Sequence, residues 1–480
     1  MNSANPQPDL ARRAFLARAG VAAGPLALGW LLARDGVAGE SDKRESSTAR
    51  QPHFAARAKR VVMLTMNGGP SQLDLFDPKP ELKKRSRQPA PQSLLAGERF
   101  AQLNGNKNLL GSPYKFARHG QCGMDFSELL PHLAGIADEL TMVRSLTTDS
   151  VNHDPALTQL NTGAVLSGRP GMGAWVVYGL GSECEDLPAF VVCHSGSGQS
   201  ISTHNWSSGF LPTVYQGVQF RGQGDPVLYL RDPQWMKGES RRRSLDTLRR
   251  LNESERAASG DPEIDTRIAA YEMAFRMQSS VPSLVDLKQE SVATLARYGV
   301  DPAVPSYARN CLLARRMLER GVRFVQLYHR DWDHHGAAGT GGIDKELPLV
   351  CREVDRATAA LISDLKERGL LDDTLVVWGG EFGRTPMQQS DEATVNLGRD
   401  HHRRAFTMLL AGGGFTPGLT FGATDELGFH AVENKVHVHD LQATLLHQLG
   451  FDHERLTYRF QGRDYRLTDV DGRVIREIIS

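Results

Sequence analysis

Thr374-Leu375-Val376-Val377-Trp378-Gly379-Gly380-Glu381-Phe382-Gly383-Arg384-Thr385-Pro386 reads as a strand that runs into a polar loop. The run Leu375 to Trp378 is apolar throughout, with no polar alternation. That is the pattern of a strand buried on both faces, as in a parallel sheet covered by helices. The same pattern recurs at Val61-Val62-Met63-Leu64, which ends in Asn67-Gly68-Gly69-Pro70-Ser71, and a further strand is expected at Val322 to Tyr328, interrupted by Arg323 and Gln326 and ending in Asp331-Trp332-Asp333-His334-His335-Gly336. Further strands are expected at Thr141–Leu146, Leu187–Cys193 and Phe406–Ala411. Helical spacing marks Phe126–Leu140, a helix ending at Thr162-Gly163, and residues 307–320, 347–368 and 440–449. Strands alternating with helices predict an α/β fold, a mostly parallel central sheet with helices on both faces. Ligands of such sheets sit beyond the carboxyl ends of the strands.

Two stretches interrupt the pattern and are expected as surface insertions, about 82–125 and 195–300. Residues 195–240 are rich in Gly, Ser and aromatics and suit a lid or a substrate-facing insert. Residues 241–300 are charged with a helical stripe, Ile264, Ile268, Tyr271 and Phe275, expected to pack on the sheet.

The 480 residues allow a large core, with 40% hydrophobic and 23% charged residues and a formal net charge of zero. That balance gives no general pull toward nucleic acid, and Lys83-Lys84-Arg85 and Arg241-Arg242-Arg243 read as solvated faces. The five cysteines include no C-x-x-C pair and do not describe a disulfide scaffold. They read as small buried residues, with a Cys184–Cys193 bridge as the alternative in an oxidising compartment.

Polar residues gather at the strand ends. Asp333, His335, Glu381 and His401 combine carboxylates and imidazoles, a donor set for Zn²⁺, with Mn²⁺, Fe²⁺ or Ca²⁺ as alternatives. The other reading of each histidine is a loop residue in ordinary hydrogen bonds. His401 and His402 are adjacent, as are His334 and His335; in extended chain neighbours face opposite sides, so one of each pair is expected to ligate. Asn152-His153-Asp154-Pro155 offers His153 as ligand, base or nucleophile, and equally reads as a helix start. Ser71 reads as a plain turn or an anion contact. Arg384 or Arg144 is expected to neutralise an oxyanion.

The first residues, Arg12-Arg13-Ala14-Phe15-Leu16 and an Ala/Gly-rich stretch, resemble a bacterial twin-arginine export signal. The 15 residues between Arg18 and Arg34 are short for a membrane-spanning helix, which needs roughly 20. The expected organisation is a signal over 1–39, a linker over 40–58 and one α/β domain over 59–480. Location in the periplasm or cell envelope follows, with membrane attachment only through an uncleaved signal.

Several strings together resemble a large secreted bacterial family, domain of unknown function 1501. They are the twin-arginine start, Asn67-Gly68-Gly69-Pro70-Ser71-Gln72-Leu73-Asp74, Trp332-Asp333-His334-His335-Gly336, Gly380-Glu381-Phe382-Gly383-Arg384-Thr385-Pro386, Gly398-Arg399-Asp400-His401 and Gly422-Ala423-Thr424-Asp425. More distantly, the element order is similar to the alkaline phosphatase and sulfatase superfamily. That resemblance places Asn67, His153, Asp333 with His335, Glu381 with Phe382, and His401 at its site positions. It implies an alkaline-phosphatase-like fold and metal-dependent hydrolysis of phosphate or sulfate esters, on a small anionic ester or a sulfated or phosphorylated glycan. His153, Glu381 and Arg384 take the catalytic roles, and Asp333, His335, Glu381 and His401 hold the metal. The departures are His153 at a position that carries Ser, Thr or Cys, Asn67 in place of an acid, and Phe382 in place of a ligand. They exclude a formylglycine mechanism there and leave a second reading, a catalytically altered protein that binds an anionic polysaccharide or an envelope partner.

Overall fold

The computed structural model describes residues 50–480 apart from 104–106, 198–199, 229, 231–237, 260–262, 337–340 and 390–395. The expected signal and the first part of the linker lie outside the described residues. The rest of the linker is not free chain: Arg57 and Ala58 donate backbone N–H bonds to Gln448, and Ala58 is fully buried.

Among the described residues, nine strands form the central sheet. In chain order they are β1 (Arg60–Met66), β2 (Thr141–Thr147), β3 (Phe190–Ser195), β4 (Val218–Phe220), β5 (Phe324–His329), β6 (Thr374–Gly379), β7 (Phe406–Ala411), β8 (Leu419–Phe421) and β9 (Val436–His437). Their spatial order is β8-β2-β7-β6-β1-β5-β3-β4, with β9 also on β2. β1 lies at the centre, parallel to both neighbours, with Leu64 opposite Leu327 and Trp378. Every pairing in the sheet is parallel except those of β7, which runs antiparallel to β6 and β2. The apolar runs are explained: alternate residues of β1 enter different cores, Val62 and Leu64 on one face, Val61 and Met63 on the other.

The longer helices are α1 (His153–Thr162), α2 (Met172–Leu180), α3 (Gly238–Ser259), α4 (Glu263–Val285), α5 (Tyr307–Glu319), α6 (Leu347–Glu367) and α7 (Val438–Gln448). The apolar stripes of α5 and α6 cover one face of the sheet, and α1, α2 and α7 cover the other. No helix of the described residues is long and apolar enough to cross a membrane.

Three expectations change. Phe126–Leu140 is not one helix but a strand end, a short helix at Pro131–Ala134 and a 3₁₀ turn at Ala137–Glu139; Pro131 starts the turn and Gly135 caps it. The 241–300 stripe does not lie on the sheet. α3 and α4 pair with each other, and the last turns of α4 reach the core through Met277, Val281 and Leu284. The 82–125 stretch is more than a surface excursion: Leu82, Ala90, Leu103 and Leu109 form a small core with Met387 and Phe429, bracing the loop between β6 and β7. All five cysteines are free, four of them buried.

Candidate metal centre

β7 runs antiparallel because the chain leaves β6 at its carboxyl end and returns to the sheet at that same end. On the way, Gly383–Arg384 pairs with His401–His402 in a two-residue ribbon, Arg384 opposite His401. His401 is thereby brought back beside the loops that follow β1 and β5. Those loops abut through glycine. Gly68 has φ +123°, and a Cβ there would lie 2.6 Å from the Asp333 nitrogen. Gly398 passes so close that a Cβ would lie 1.9 Å from the His335 carbonyl carbon.

Four side chains from two loops and a helix start converge: His153, Asp333, His335 and His401, each offering one ligand atom within 4.8 Å of the others. Asp333 Oδ1 is the hub. It lies 2.7 Å from His335 Nε2, and 3.2 Å from both His401 Nε2 and His153 Nε2. The two nitrogens of His335 and His401 are 3.0 Å apart. Each imidazole is held by an acceptor at its far nitrogen. His401 Nδ1 donates to the Val151 carbonyl at 2.7 Å, His153 Nδ1 to Glu381 Oε1 at 2.6 Å, and His335 Nδ1 to Gln389 Oε1. That pattern turns all three Nε2 atoms inward and is the usual support of metal-ligating histidines.

The residues fit a divalent cation. His153 Nε2 is buried with no hydrogen-bond partner, a cost that a bound cation removes. Ligands about 2.0–2.1 Å from a tetrahedral Zn²⁺ stand about 3.3 Å from one another; four of the six separations here are 2.7–3.2 Å and all lie within 4.8 Å. Three imidazole nitrogens suit Zn²⁺, Mn²⁺ or Fe²⁺ and tell against Ca²⁺, which takes oxygen ligands.

The charges favour the same place. Burial opposes ionisation of Asp333, but the Arg384 guanidinium and three imidazoles outweigh it and hold the carboxyl far below the usual range. Burial also works against a charged His153, yet the carboxylates of Asp333 and Glu381 raise its pKa to about 9. For His401 burial prevails, helped by the Arg384 charge, and its pKa falls to about 4. Positive charge is thus stabilised between His153 and Asp333.

Asp333, His335 and His401 therefore meet, and His153 joins them as the fourth. Glu381 is not in that set. Its fully buried carboxylate accepts from His153 Nδ1 and, at 3.0 Å, from the Gly68 N–H, so it orients the His153 ring from behind the cluster. Arg384 is buried and spent on acceptors. It donates to Asp333 Oδ1 at 2.6 Å and to the carbonyls of Gly68, Gly69 and Arg399, leaving no face for an oxyanion. Arg144 pairs with Asp125 at 3.1 Å. Ser71 donates to Asp74 Oδ2 at 2.5 Å, which is the turn reading. His402 points away to the Phe429 carbonyl at 2.5 Å, as strand alternation requires. Two supports went unassigned in the sequence, Gln389 and the buried Asp74–Arg399 pair at 2.7 Å, whose members stand in two separate family-like strings. Asp74 and Arg399 lie 325 positions apart.

The fold and site define a mixed α/β protein with a His₃Asp cluster at the carboxyl end of its sheet. The chain belongs to the family described as "Protein of unknown function (DUF1501)", whose model matches residues 58–479. No curated protein matches it. Among solved structures, the PsFucS1 sulfatase from Pseudoalteromonas sp. aligns at 11% identity and a TM-score of 0.36, over 83% of this chain and 69% of that one. The phosphonate monoester hydrolase SpPMH from Silicibacter pomeroyi aligns at 13% and 0.31, over 88% and 76%. The C-terminal periplasmic domain of EcEptC from Escherichia coli, in a complex with Zn, aligns at 12% and 0.33, over 84% and 86%. These likenesses are coarse, and the chemistry of the site rests on its own side chains.

Proposed function

We propose that this protein is an exported, metal-dependent hydrolase of phosphate or sulfate esters, acting on a small anionic ester or a sulfated or phosphorylated glycan. The observation that carries it is the convergence of three imidazole Nε2 atoms on Asp333 Oδ1, each ring oriented from behind. His153, Asp333, His335 and His401 would hold the cation, Zn²⁺ first and Mn²⁺ or Fe²⁺ as alternatives. A divalent cation held there supplies Lewis-acid polarisation of an ester oxygen. Glu381 keeps His153 in one tautomer, and Arg384 keeps Asp333 ionised and turned toward the cluster. The Asp333 side chain is 32% exposed while those of His335 and His401 are 1% and 3%, so substrate reaches the cluster from the Asp333 side. No hydroxyl or thiol stands at the start of α1, so these residues offer no oxygen or sulfur nucleophile there, and direct attack by water is the route they leave.

The purified chain, analysed for metal and assayed on p-nitrophenyl phosphate and p-nitrophenyl sulfate with Zn²⁺, Mn²⁺ and Fe²⁺, should hold about one equivalent of metal and turn over one ester class. His401→Ala should abolish both. Metal-bound protein without turnover of any ester would favour the second reading, a glycan- or envelope-binding protein. The absence of a hydroxyl or thiol where a nucleophile would stand supports that reading.

A further inference from the structure

Beyond the carboxyl ends of β3 and β5 lies a cavity about 680 Å³ in volume. That is the size of a small-molecule site. Three arginines line it, Arg330, Arg352 and Arg356, against one acid, Glu353. The N-terminus of α5, a helix of 13 residues, opens into it at Ser306 and Tyr307, adding a positive dipole end. His194 presents a buried Nε2 with no hydrogen-bond partner, its ring wedged against Trp206 and Tyr328. Burial and the nearby Arg330 keep that imidazole neutral, with its pKa down at about 4. The neutral ring can still donate one hydrogen bond.

Two of the guanidinium groups are held in place: Arg330 donates to the Gly196 carbonyl, Arg356 to those of Ala296 and Arg297. Arg352 is exposed. The cavity and the metal centre draw on the same loop after β5, through Arg330 and Asp333. Arg330 and Asp333 are three residues apart, so their Cα atoms lie within about 11 Å. Glu353 also bonds His329 at 2.9 Å, and His329 accepts from the Trp332 indole at 2.9 Å, one residue before Asp333.

We propose that this cavity binds an organic anion of about monosaccharide size through its sulfate, phosphate or carboxylate group, as the recognition subsite beside the metal centre. Its place in a substrate path rests on the hydrolase reading; its binding of the anion does not. The substrate then carries at least two anionic groups, one in the cavity and one at the cluster.

Calorimetric titration of metal-stripped protein at constant ionic strength tests this, with glucose 6-sulfate, inorganic sulfate and glucose as probes. Glucose 6-sulfate should bind and glucose should not. Arg352→Ala should weaken binding about tenfold, the loss of one charge-assisted contact, and Arg352→Glu should remove it. Both variants should keep the parent circular dichroism and melting temperature, since the position is exposed. Unchanged affinity in both variants, or no binding by the parent, overturns the proposal. Equal affinity for free sulfate and glucose 6-sulfate overturns the organic ligand. Binding here without ester turnover in the metal-loaded protein would defeat the hydrolase reading and leave this site standing.

Discussion

Glu381 stands one hydrogen bond behind the cluster, and that distance decides its role. A group that orients a ligand changes affinity in degree, whereas loss of the ligand removes a coordinating atom. Glu381→Gln should therefore weaken metal binding by about 10–100-fold, while His153→Ala should lose stoichiometric metal. Chelator-competition titration separates the two; equal losses would make Glu381 a ligand in its own right. The Asp74–Arg399 pair makes a different demand. Both side chains are fully buried, and the Arg399 charge holds Asp74 ionised against the cost of its burial. Asp74→Asn leaves a buried guanidinium without its counter-charge, at a cost of about 3–5 kcal/mol. Urea denaturation reads it, and a change below about 1 kcal/mol would mean that the loop relaxes to let water reach Arg399.

The element that builds the site is the excursion between β6 and β7, and its weakest point is Gly398. A methyl group there meets backbone, His335 carbon and oxygen at 1.9 and 2.0 Å, which no rotamer change relieves. Gly398→Ala should lower stability by about 1–3 kcal/mol or more and displace His335, so that metal is lost well below the unfolding midpoint. A variant that melts early but keeps full metal content would show that the strain is absorbed elsewhere. Elements of this kind were unevenly legible in the sequence. Strands buried on both faces announce themselves as apolar runs, unbroken at the cores of β1 and β6 and interrupted by Gln326 in β5. Phe126–Leu140 misleads because separate turns lying on one core repeat apolar residues at helical spacing. The 241–300 stripe misleads because a helix buries a stripe against another helix as readily as against a sheet. Asp333, His335 and His401 stand out because they follow or return to strand ends. Glu381 does so too, and nothing along the chain says that its carboxylate meets an imidazole before it meets a metal.

Across the whole molecule, several histidines are folded away as neutral rings. Burial lowers the pKa of His53, His447 and His453, and that of His194 to about 4. The unfolded chain takes up these protons near pH 6.5, and the folded chain takes them up only at lower pH, His194 at about 4. Acid therefore favours the unfolded state, and the stability these groups contribute is complete above about pH 6.5 and lost as pH falls from there toward 4. His153 has the opposite sign in metal-free protein. With its pKa raised to about 9, its contribution is full below about 6.5 and lost as pH rises through 9. The two trends overlap, so the slope of one protein cannot assign either. A difference can: His194→Gln removes one depressed group and leaves the cluster intact. The stability gap between parent and variant should narrow by up to about 3 kcal/mol between pH 6.5 and 4, followed by urea midpoints at half-unit steps. Parallel pH curves for the two proteins would mean that His194 gains access to water and is protonated in the fold, and the cavity it lines would then carry a further positive charge in acid.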